Sequence, residues 1–491
     1  MGSRREGLRH ATAVDPGRGP GFRRGLRDSG WFENGLQLGA AGGMLLSYSN
    51  QRKPSMLYLK VRRSGPIRGD ISMPPSKTHS FRALILASLA DGVSMIRRPK
   101  ISSDWHEAVR AMRMYGAEID ETEPGVFRVK GVAGQLRTPE DVINVNNSGT
   151  MLVFVAGVAA ACPGWTILTG DESLRKLRKI TKNFIDPLEE LGVTVISTKG
   201  DGMAPFVFKG RVDGGVAHMD GIGCQPVFSV LIPSALSPRP VDIYVDNPGE
   251  TAYIDLLLYW FEKAGLAFEN VGGSYRHYHF PGNGAPRPFD AQIPYEWSAP
   301  GYPLLAAMIT PGSEVKVRGM DLTDPYGDKQ MIYLLQKMGA DITIESDVIT
   351  ARTSELRGIE ADMNALPDQV PTMAVAACFA RGETTIKNAL TARWKECDRI
   401  AAVCKELKKM GARLTEREDG IVIHQDGSWR LGGADIDGYY DHRMVMAFSV
   451  AGLAADGQTK ISDAQMVEKS FGTYVGEMRR SGADFEIVEE P

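Results

Sequence analysis

The sequence predicts an α/β protein built from six similar units. A helix, a glycine and a short strand recur along the chain, with the glycines at Gly116, Gly192, Gly265, Gly339, Gly411 and Gly482. The spacings between successive glycines are 76, 73, 74, 72 and 71 residues. A glycine after a helix suits a left-handed C-cap, and the apolar alternation after it suits a strand. Six such periods over residues 56–491 indicate an array or a pseudo-symmetric globule.

The two recurring elements can be followed along the chain. The first element reads VRAMRMYGAEI, LEELGVTVI, LYWFEKAGLAFE, LLQKMGADITI, CKELKKMGARL and GEMRRSGADFEI. The second is an apolar helix, a turn and a strand, and it reads FRALILASLADGVSMI, GTMLVFVAGVAAACPGWTIL, QPVFSVLIPSALSPRPVDIYV, GYPLLAAMITPGSEVKV, TMAVAACFARGETTI and RMVMAFSVAGLAADGQTKI. Because the helices of the second element are apolar nearly all round, we expect them to be buried.

Polar segments precede the buried helices. They are PPSKTHSFR (74–82), NNSGT (146–150), GCQP (223–226), EWSAPG (296–301), PDQVPT (367–372) and YYDHR (439–443). The start of a helix presents free N–H groups and the positive end of its dipole, so it suits an anion. Several such starts that converge would bind a ligand with several negative charges.

Composition excludes several classes of protein. The chain has 491 residues, of which 43% are hydrophobic and 24% charged, and its net charge of −3 gives no basic field for nucleic acid. The five cysteines form no CxxC pair and no cluster with histidine, which indicates a reducing compartment without structural zinc. The apolar runs fall short of the roughly 18 residues that span a membrane. Residues 1–55, with seven arginines before residue 29, are interpreted as a disordered or spurious N-terminal extension.

Seven segments carry a resemblance to a known family. SKTHSFRAL, NNSGT, TGDESLRK, LPDQV, WKECDRI, YDHRMVMAF and EKSF occur in this order. Over residues 56–491 the chain resembles the 5-enolpyruvylshikimate-3-phosphate synthase family, as a divergent member of the enolpyruvyl transferases. The resemblance implies an inside-out α/β barrel fold with two globular domains, each of three βαβαββ repeats. It places residues 76–295 in one domain, and residues 56–75 with 296–491 in the other.

The resemblance also implies a reaction. The family transfers the enolpyruvyl group of phosphoenolpyruvate to the 5-hydroxyl of shikimate 3-phosphate and releases phosphate, a step of aromatic amino acid biosynthesis. It needs no metal and no organic cofactor. The expected partners are therefore two small anionic substrates, with no nucleic acid and no membrane, and the expected form is a cytoplasmic monomer.

The roles of individual residues follow from the same resemblance. The implied catalytic residues are Asp368 as base on the 5-hydroxyl, Glu396 for a proton at C3, and Lys77. The implied phosphoenolpyruvate ligands are Lys77, Gly149, Arg178, Gln225, Arg399, Arg443 and Lys469. The implied shikimate-3-phosphate ligands are Lys77, Thr78, Arg82, Gln225, Tyr253, Asp368, Thr391 and Lys395.

The KECDR segment has a geometry of its own. Lys395 and Arg399 are four residues apart, which places them on one face if a helix starts here. Glu396 precedes Arg399 by three residues, so Arg399 could hold it. Asp368 has an alternative role as a helix N-cap only.

The acceptor half departs from the family pattern. A Ser-Ser-Gln or Ser-Ala-Gln segment that helps to bind the 3-phosphate is Gly223-Cys224-Gln225 here, and Glu250 stands where a serine is usual. Thr391 replaces an asparagine, Val153 replaces an arginine, and an extra residue near Arg178 makes Arg175 an alternative cation. If the acceptor keeps its phosphate, we expect Glu250 to point away and to pair with Lys395 or Arg393.

Three alternatives remain open. The first is a paralogue that acts on a different cyclic polyol acid. The second is enolpyruvyl transfer to a UDP-amino sugar, whose family carries a cysteine-containing loop where this chain has TGDESLRKLRK. The third is a non-catalytic binding protein of the same fold.

Overall fold

The computed structural model describes residues 56–176 and 183–490. The interpretation of residues 1–55 and the role of Arg178 lie outside the described residues. Contacts group Lys53–Pro491 as one compact unit. The domain boundaries at 75/76 and 295/296 therefore stay a prediction.

The described chain contains short strands throughout. They are β1 Met56–Arg62, β2 Arg68–Ile71, β3 Val93–Arg97, β4 Glu118–Glu123, β5 Val126–Lys130, β6 Ile143–Asn144, β7 Trp165–Thr169, β8 Thr194–Ser197, β9 Phe206–Lys209, β10 Gly215–Asp220, β11 Val241–Asp246, β12 Glu269–Asn270, β13 His277–Phe280, β14 Asp290–Gln292, β15 Glu314–Arg318, β16 Ile342–Glu345, β17 Val348–Arg352, β18 Glu360–Asp362, β19 Gly382–Lys387, β20 Leu414–Arg417, β21 Gly420–Gln425, β22 Asp435–Ile436, β23 Gln458–Ile461 and β24 Phe485–Glu490.

Helices alternate with these strands. They are α1 Lys77–Leu89, α2 Ser103–Met114, α3 Gly149–Ala159, α4 Glu172–Lys176, α5 Ile185–Glu190, α6 Cys224–Ala235, α7 Thr251–Lys263, α8 Gly301–Ile309, α9 Gln330–Lys337, α10 Val370–Cys378, α11 Arg399–Lys409, α12 His442–Ala454, α13 Glu468–Phe471 and α14 Tyr474–Arg480. Short 3-10 helices cover Val271–Gly273, Gly327–Lys329, Pro367–Gln369, Leu390–Trp394 and Ala464–Val467.

Six four-stranded sheets of the described chain share one topology. Their strand orders are β14-β3-β5-β4, β6-β7-β9-β8, β10-β11-β13-β12, β16-β17-β15-β2, β18-β19-β21-β20 and β22-β23-β1-β24. In each sheet one parallel pair is extended by two antiparallel pairings. Strands β3–β14 form three of the sheets, and β1, β2 and β15–β24 form the other three. The sixfold repetition predicted from the glycine spacing is confirmed.

The apolar helices form the core of the described chain. Helices α1, α3, α6, α8, α10 and α12 are buried over nearly their whole length, as their composition predicts. Helices α3 and α6 pack together through stacked rings of Phe154 and Phe228, with centroids 5.4 Å apart. Because truncation of a buried phenylalanine to alanine costs about 3–5 kcal/mol, we expect this contact to stabilise the packing of α3 against α6.

The six repeat glycines adopt the conformation that the sequence predicts. Their φ angles, in chain order, are 107°, 85°, 67°, 92°, 92° and 108°. A side chain is strained in this region of backbone space, so glycine is required to end the helix and turn the chain into the next strand.

Candidate active site

Five of the six polar helix starts meet at one cleft with about 800 Å³ of empty space, including solvent at its mouth. Twelve predicted site residues line it: Lys77, Thr78, Arg82, Gly149, Gln225, Tyr253, Asp368, Lys395, Glu396, Arg399, Arg443 and Lys469. The start of α8 does not line the cleft. Its neighbour Glu296 instead accepts hydrogen bonds from the Ser76 hydroxyl (3.1 Å) and the Lys77 backbone N–H (2.9 Å), and so supports the start of α1.

Two predicted positions lie elsewhere. Thr391 is buried in the 3-10 helix Leu390–Trp394 and does not line the cleft, because that turn packs its short side chain inward. Arg175, the alternative to Arg178, lies at the exposed end of α4 and also lies outside the lining.

Arg399 is the centre of a buried cluster of charges. It is 1% exposed, and its guanidinium donates to Asp368 (2.7 Å), Glu396 (2.7 Å) and Asp441 (2.7 Å). Charge-assisted bonds of this length are among the strong ones in proteins, and the planar guanidinium suits several carboxylates at once. The expectation that Arg399 holds Glu396 is confirmed.

Arg443 belongs to the same cluster, but only one of its guanidinium nitrogens binds Asp368. Its Nη2 donates to Asp368 Oδ2 at 2.8 Å. Its Nε and Nη1 are buried and make no hydrogen bond of normal geometry to the described residues, although the Tyr302 hydroxyl interacts with Arg443. Since an unpaired buried donor costs about 1–3 kcal/mol, these two N–H groups favour an anionic ligand.

The helix start in KECDR differs from the prediction. Helix α11 begins at Arg399, and Asp398 is its N-cap because its carboxylate accepts from the Ala401 N–H. Lys395 therefore lies before the helix and does not share a helical face with Arg399. Asp368 lies inside a 3-10 helix and makes no cap hydrogen bond, so its interpretation as an N-cap only is wrong.

The charges of the cluster set the pKa of Asp368. Burial alone would raise this pKa, but Arg443 and Arg399 lower it far below the ordinary value. Asp368 is therefore ionised and is a weak base while both arginines hold it. A ligand carboxylate that binds these arginines would weaken their hold and raise the pKa of Asp368.

Lys77 and Arg82 lie on α1. Ser76 caps this helix, and Lys77 Nζ lies 3.5 Å from Asp104 Oδ2. Arg82 is fully buried, with its guanidinium 4.7 Å from the ring centre of Phe228, and it donates to the carbonyls of Thr78 (3.0 Å) and Tyr253 (3.2 Å). Burial lowers the pKa of Arg82 to about 10, so it stays cationic at neutral pH.

Glu250 pairs with Lys395, one of the two partners expected for it. Glu250 Oε1 lies 2.6 Å from Lys395 Nζ, and Oε2 accepts from the Cys224 backbone N–H at 3.0 Å. Arg393 is not part of the cleft, because it pairs with Asp398 (2.8 Å) and Glu416 (2.9 Å). Lys395 alone of these two cations faces the site.

Comparison with known proteins identifies the family. A family model described as EPSP synthase (3-phosphoshikimate 1-carboxyvinyltransferase) matches residues 61–478. The chain belongs to the EPSP synthase family. A 3-phosphoshikimate 1-carboxyvinyltransferase of Acetivibrio thermocellus is 41% identical over 433 residues, which cover 88% of this chain and all of the relative. The corresponding protein of Methanocaldococcus jannaschii is 37% identical over 438 residues, with the same coverage.

Solved structures agree with the fold class. The EPSP synthase from Acinetobacter baumannii superposes with a TM-score of 0.73 at 25% identity, over 88% of this chain and all of that one. The enolpyruvyl transferase NikO from Streptomyces tendae superposes with a TM-score of 0.69 at 17% identity and shows the fold alone. The predicted enolpyruvyl transferase fold is confirmed.

This EPSP synthase family member contains charged residues at the site that sequence reasoning missed. Asp328 is fully buried and accepts from the Tyr253 hydroxyl (2.9 Å) and from Gln369 Nε2 (3.1 Å). Burial raises the pKa of Asp328 to about 7. Asp441 caps α12 and binds Arg399. The only sequence signal for Asp441 was its place in DHR, and YGDK gave none for Asp328.

The remaining reactive side chains of the cleft are inactive in acid–base terms at neutral pH. Burial lowers the pKa of His442 well below its ordinary value, so the imidazole is neutral. Burial raises the pKa of the Cys224 thiol in the cleft and of the Cys397 thiol outside its lining, which suits neither to a nucleophilic role. Within residues 56–176 and 183–490 no cluster of His, Cys, Asp and Glu is arranged to hold a metal ion. No helix in these ranges is long and apolar enough to cross a membrane.

Proposed function

We propose that this protein transfers the enolpyruvyl group of phosphoenolpyruvate to the 5-hydroxyl of shikimate 3-phosphate and releases phosphate. The observation that carries the proposal is the cluster of Asp368, Arg399 and Arg443 in a cation-lined cleft, where two N–H groups of Arg443 make no hydrogen bond of normal geometry to the described residues. A carboxylate that accepts from Arg443 satisfies these donors and lies close to the carboxylate of Asp368.

The charges of the cleft suit two substrates that each carry a carboxylate and a phosphate. Six cationic side chains of the described chain line it: Lys77, Arg82, Lys395, Arg399, Arg443 and Lys469. The first N–H groups of α3, beginning at Gly149, add a positive helix end. Lys77, Gly149, Gln225 and Lys469 are assigned to phosphoenolpyruvate together with the two arginines, and Arg178 is retained from the family pattern.

The first chemical step is addition. The 5-hydroxyl oxygen bonds to C2 of phosphoenolpyruvate while C3 takes a proton and becomes a methyl group. Asp368 accepts the hydroxyl proton, and a substrate carboxylate on Arg443 and Arg399 offsets part of the positive charge that lowers the pKa of Asp368. Glu396, held by Arg399 at 2.7 Å, supplies the proton to C3.

The second step is elimination. The C–O bond between C2 and phosphate breaks, the C3 methyl returns one proton to Glu396, and the enolpyruvyl ether remains on the acceptor. Lys77 and Lys469 stabilise the charge on the leaving phosphate, and Lys77 can move a proton to it. The proton that Asp368 took from the 5-hydroxyl ends on the released phosphate, so atoms and charges balance and no oxidant is needed.

The acceptor is assigned to the other side of the cleft. Arg82 and Thr78 on α1 suit its carboxylate and a ring hydroxyl, and Tyr253 and Gln225 border the ring. Lys395 is assigned to the acceptor, and Thr391 acts only through the turn that positions Lys395. We also propose a cytoplasmic monomer whose two domains cover residues 76–295 and residues 56–75 with 296–491.

One assay tests the reaction. Purified protein with phosphoenolpyruvate and shikimate 3-phosphate should release phosphate and add one carboxyvinyl group to the acceptor, as measured by mass spectrometry. Omission of either substrate should abolish both signals. The Asp368→Asn variant serves as the inactive control, and Glu416→Gln, on the exposed partner of Arg393, serves as the matched active control. If this protein shows no turnover while a related enzyme is active in the same assay, the proposal is refuted.

The Glu250–Lys395 pair is the arrangement expected for a phosphorylated acceptor, but it also bears on a second candidate acceptor. The Glu250–Lys395 pair neutralises one cation that a phosphorylated acceptor needs. An acceptor with a hydroxyl in place of the phosphate would avoid this carboxylate. The same assay with unphosphorylated shikimate distinguishes the two acceptors.

A further inference from the structure

Glu250 lies behind a corner of the cleft that is lined by Arg82, Cys224 and Lys395 and is built for an anion. Helix α6 begins at Cys224, its N-cap Gly223 offers no side-chain oxygen, and the Cys224 N–H is directed to Glu250 Oε2. Lys395 Nζ supplies the second donor, to Oε1. A carboxylate at the start of a helix and beside a lysine is stabilised by the helix dipole and by the opposite charge.

The Glu250 carboxylate is fixed in place. Its side chain is 2% exposed, both of its oxygens are used, and its backbone N–H donates to Asn364 Oδ1 at 2.9 Å. Burial opposes its ionisation, but Lys395 and the hydrogen bond with Cys224 lower the pKa of Glu250 below its ordinary value. The protein therefore supplies its own anion to these donors at neutral pH.

The surrounding charge shows what this anion does to a ligand. Arg82 and Lys395 both line this part of the cleft together with Cys224. Within the described residues Arg82 donates hydrogen bonds to backbone carbonyls, whereas Lys395 forms an ion pair with Glu250. Arg82 is therefore the cation of this corner that no carboxylate of the described chain neutralises, and its single charge suits one ligand carboxylate. A dianionic phosphate bound beside Lys395 would be repelled by the Glu250 carboxylate behind it.

We infer that Glu250 is a specificity-determining residue that takes the place of an acceptor anion. It weakens binding of an acceptor that carries a phosphate at this corner and leaves binding of an acceptor with a hydroxyl there nearly unchanged. The inference rests on the proposed function, because it concerns the acceptor of that same site. Glu250 acts through Lys395 and does not line the cleft.

Titration calorimetry tests the inference without turnover. Glu250→Ser removes the carboxylate, and Glu250→Gln removes only its charge while keeping an oxygen for the Cys224 N–H. Both variants should bind shikimate 3-phosphate about tenfold to a hundredfold more tightly than the wild type, because Lys395 becomes available to the phosphate. Affinity for unphosphorylated shikimate and for phosphoenolpyruvate should change by less than about threefold.

The controls separate this inference from the proposed function. Glu416→Ser makes the same change on an exposed carboxylate outside the cleft. It should alter the affinity for neither shikimate 3-phosphate nor unphosphorylated shikimate. If both Glu250 variants bind shikimate 3-phosphate no better than the wild type, or if Glu416→Ser has the same effect, the inference is wrong. A wild type that binds the acceptor but transfers nothing to it would refute the proposed function and leave the binding comparison intact.

Discussion

The cleft contains two cationic regions that differ in how many of their N–H donors the protein itself already binds. Around Asp368, the guanidinium of Arg443 keeps two buried N–H groups that make no hydrogen bond of normal geometry within the described chain. Around Glu250, the ammonium of Lys395 is matched at 2.6 Å by a carboxylate that also occupies a helix N–H. The number of lysines and arginines in a site therefore does not measure its capacity for anions. What matters is how many of their donors the protein has already used.

The same comparison separates the two halves of the family pattern. The residues that match the family form the cluster of Asp368, Glu396, Arg399 and Arg443. Two of the positions that depart from it, Cys224 and Glu250, contact each other through a hydrogen bond. Because these two departures are neighbours in space, they are best understood as one coupled change at one corner.

The largest expected effect concerns the acid and base of the first region. Asp368→Asn and Glu396→Gln should each lower turnover by about 10² or more and leave substrate binding largely intact, because each removes a proton-transfer group and keeps its shape. Single-turnover kinetics and titration calorimetry measure the two quantities. Near-normal turnover of Asp368→Asn would leave that residue with only its structural ion pairs.

A smaller effect is expected when the open donors of the first region are removed. Arg443→Ala should weaken phosphoenolpyruvate binding about tenfold to a hundredfold, since hydrogen bonds to charged groups contribute about 1.5–3 kcal/mol. Arg443→Lys keeps the charge but loses the fork, so its affinity should lie in between. Arg393→Ala, in a surface ion-pair network, is the matched control and should bind normally. Unchanged affinity of Arg443→Ala by calorimetry would remove Arg443 from the site.

The pKa of Asp328 predicts a pH effect on the first region. As pH rises through about 7, Asp328 loses its proton and places a negative charge near Arg443. Wild-type affinity for phosphoenolpyruvate should therefore fall by about threefold to tenfold between pH 6 and pH 8 relative to Asp328→Asn, whose side chain does not titrate. The ratio of the two dissociation constants removes the titration of the substrate itself. A ratio that is constant across this range would contradict the coupling.

Much of the fold was predictable from sequence, because a glycine C-cap and a buried apolar helix depend on local composition. The six repeats, the buried helices and the convergence of Lys77 with Arg443 follow from such patterns and from the family resemblance. The start of α11 was not predictable, because Asp398 is a better N-cap than the residues before Lys395. Asp328 was also missed, since a lone aspartate in YGDK shows its burial only once the chain has folded around it.

The smallest expected effect tests which departure controls the second region. Cys224 contacts Glu250 through its backbone N–H and through its thiol, so Cys224→Ser keeps the backbone hydrogen bond and replaces the thiol by a hydroxyl. The new hydroxyl faces a corner that Glu250 already occupies, and acceptor affinity should therefore change by less than about threefold. Calorimetry with shikimate 3-phosphate measures this beside Glu250→Ser. If Cys224→Ser alone tightened binding of the phosphorylated acceptor tenfold, the missing hydroxyl would limit this corner, and the contrast between the two regions would no longer rest on Glu250. If only the variants at Glu250 tighten binding of shikimate 3-phosphate, the Glu250 carboxylate is the cause of the difference between the two regions.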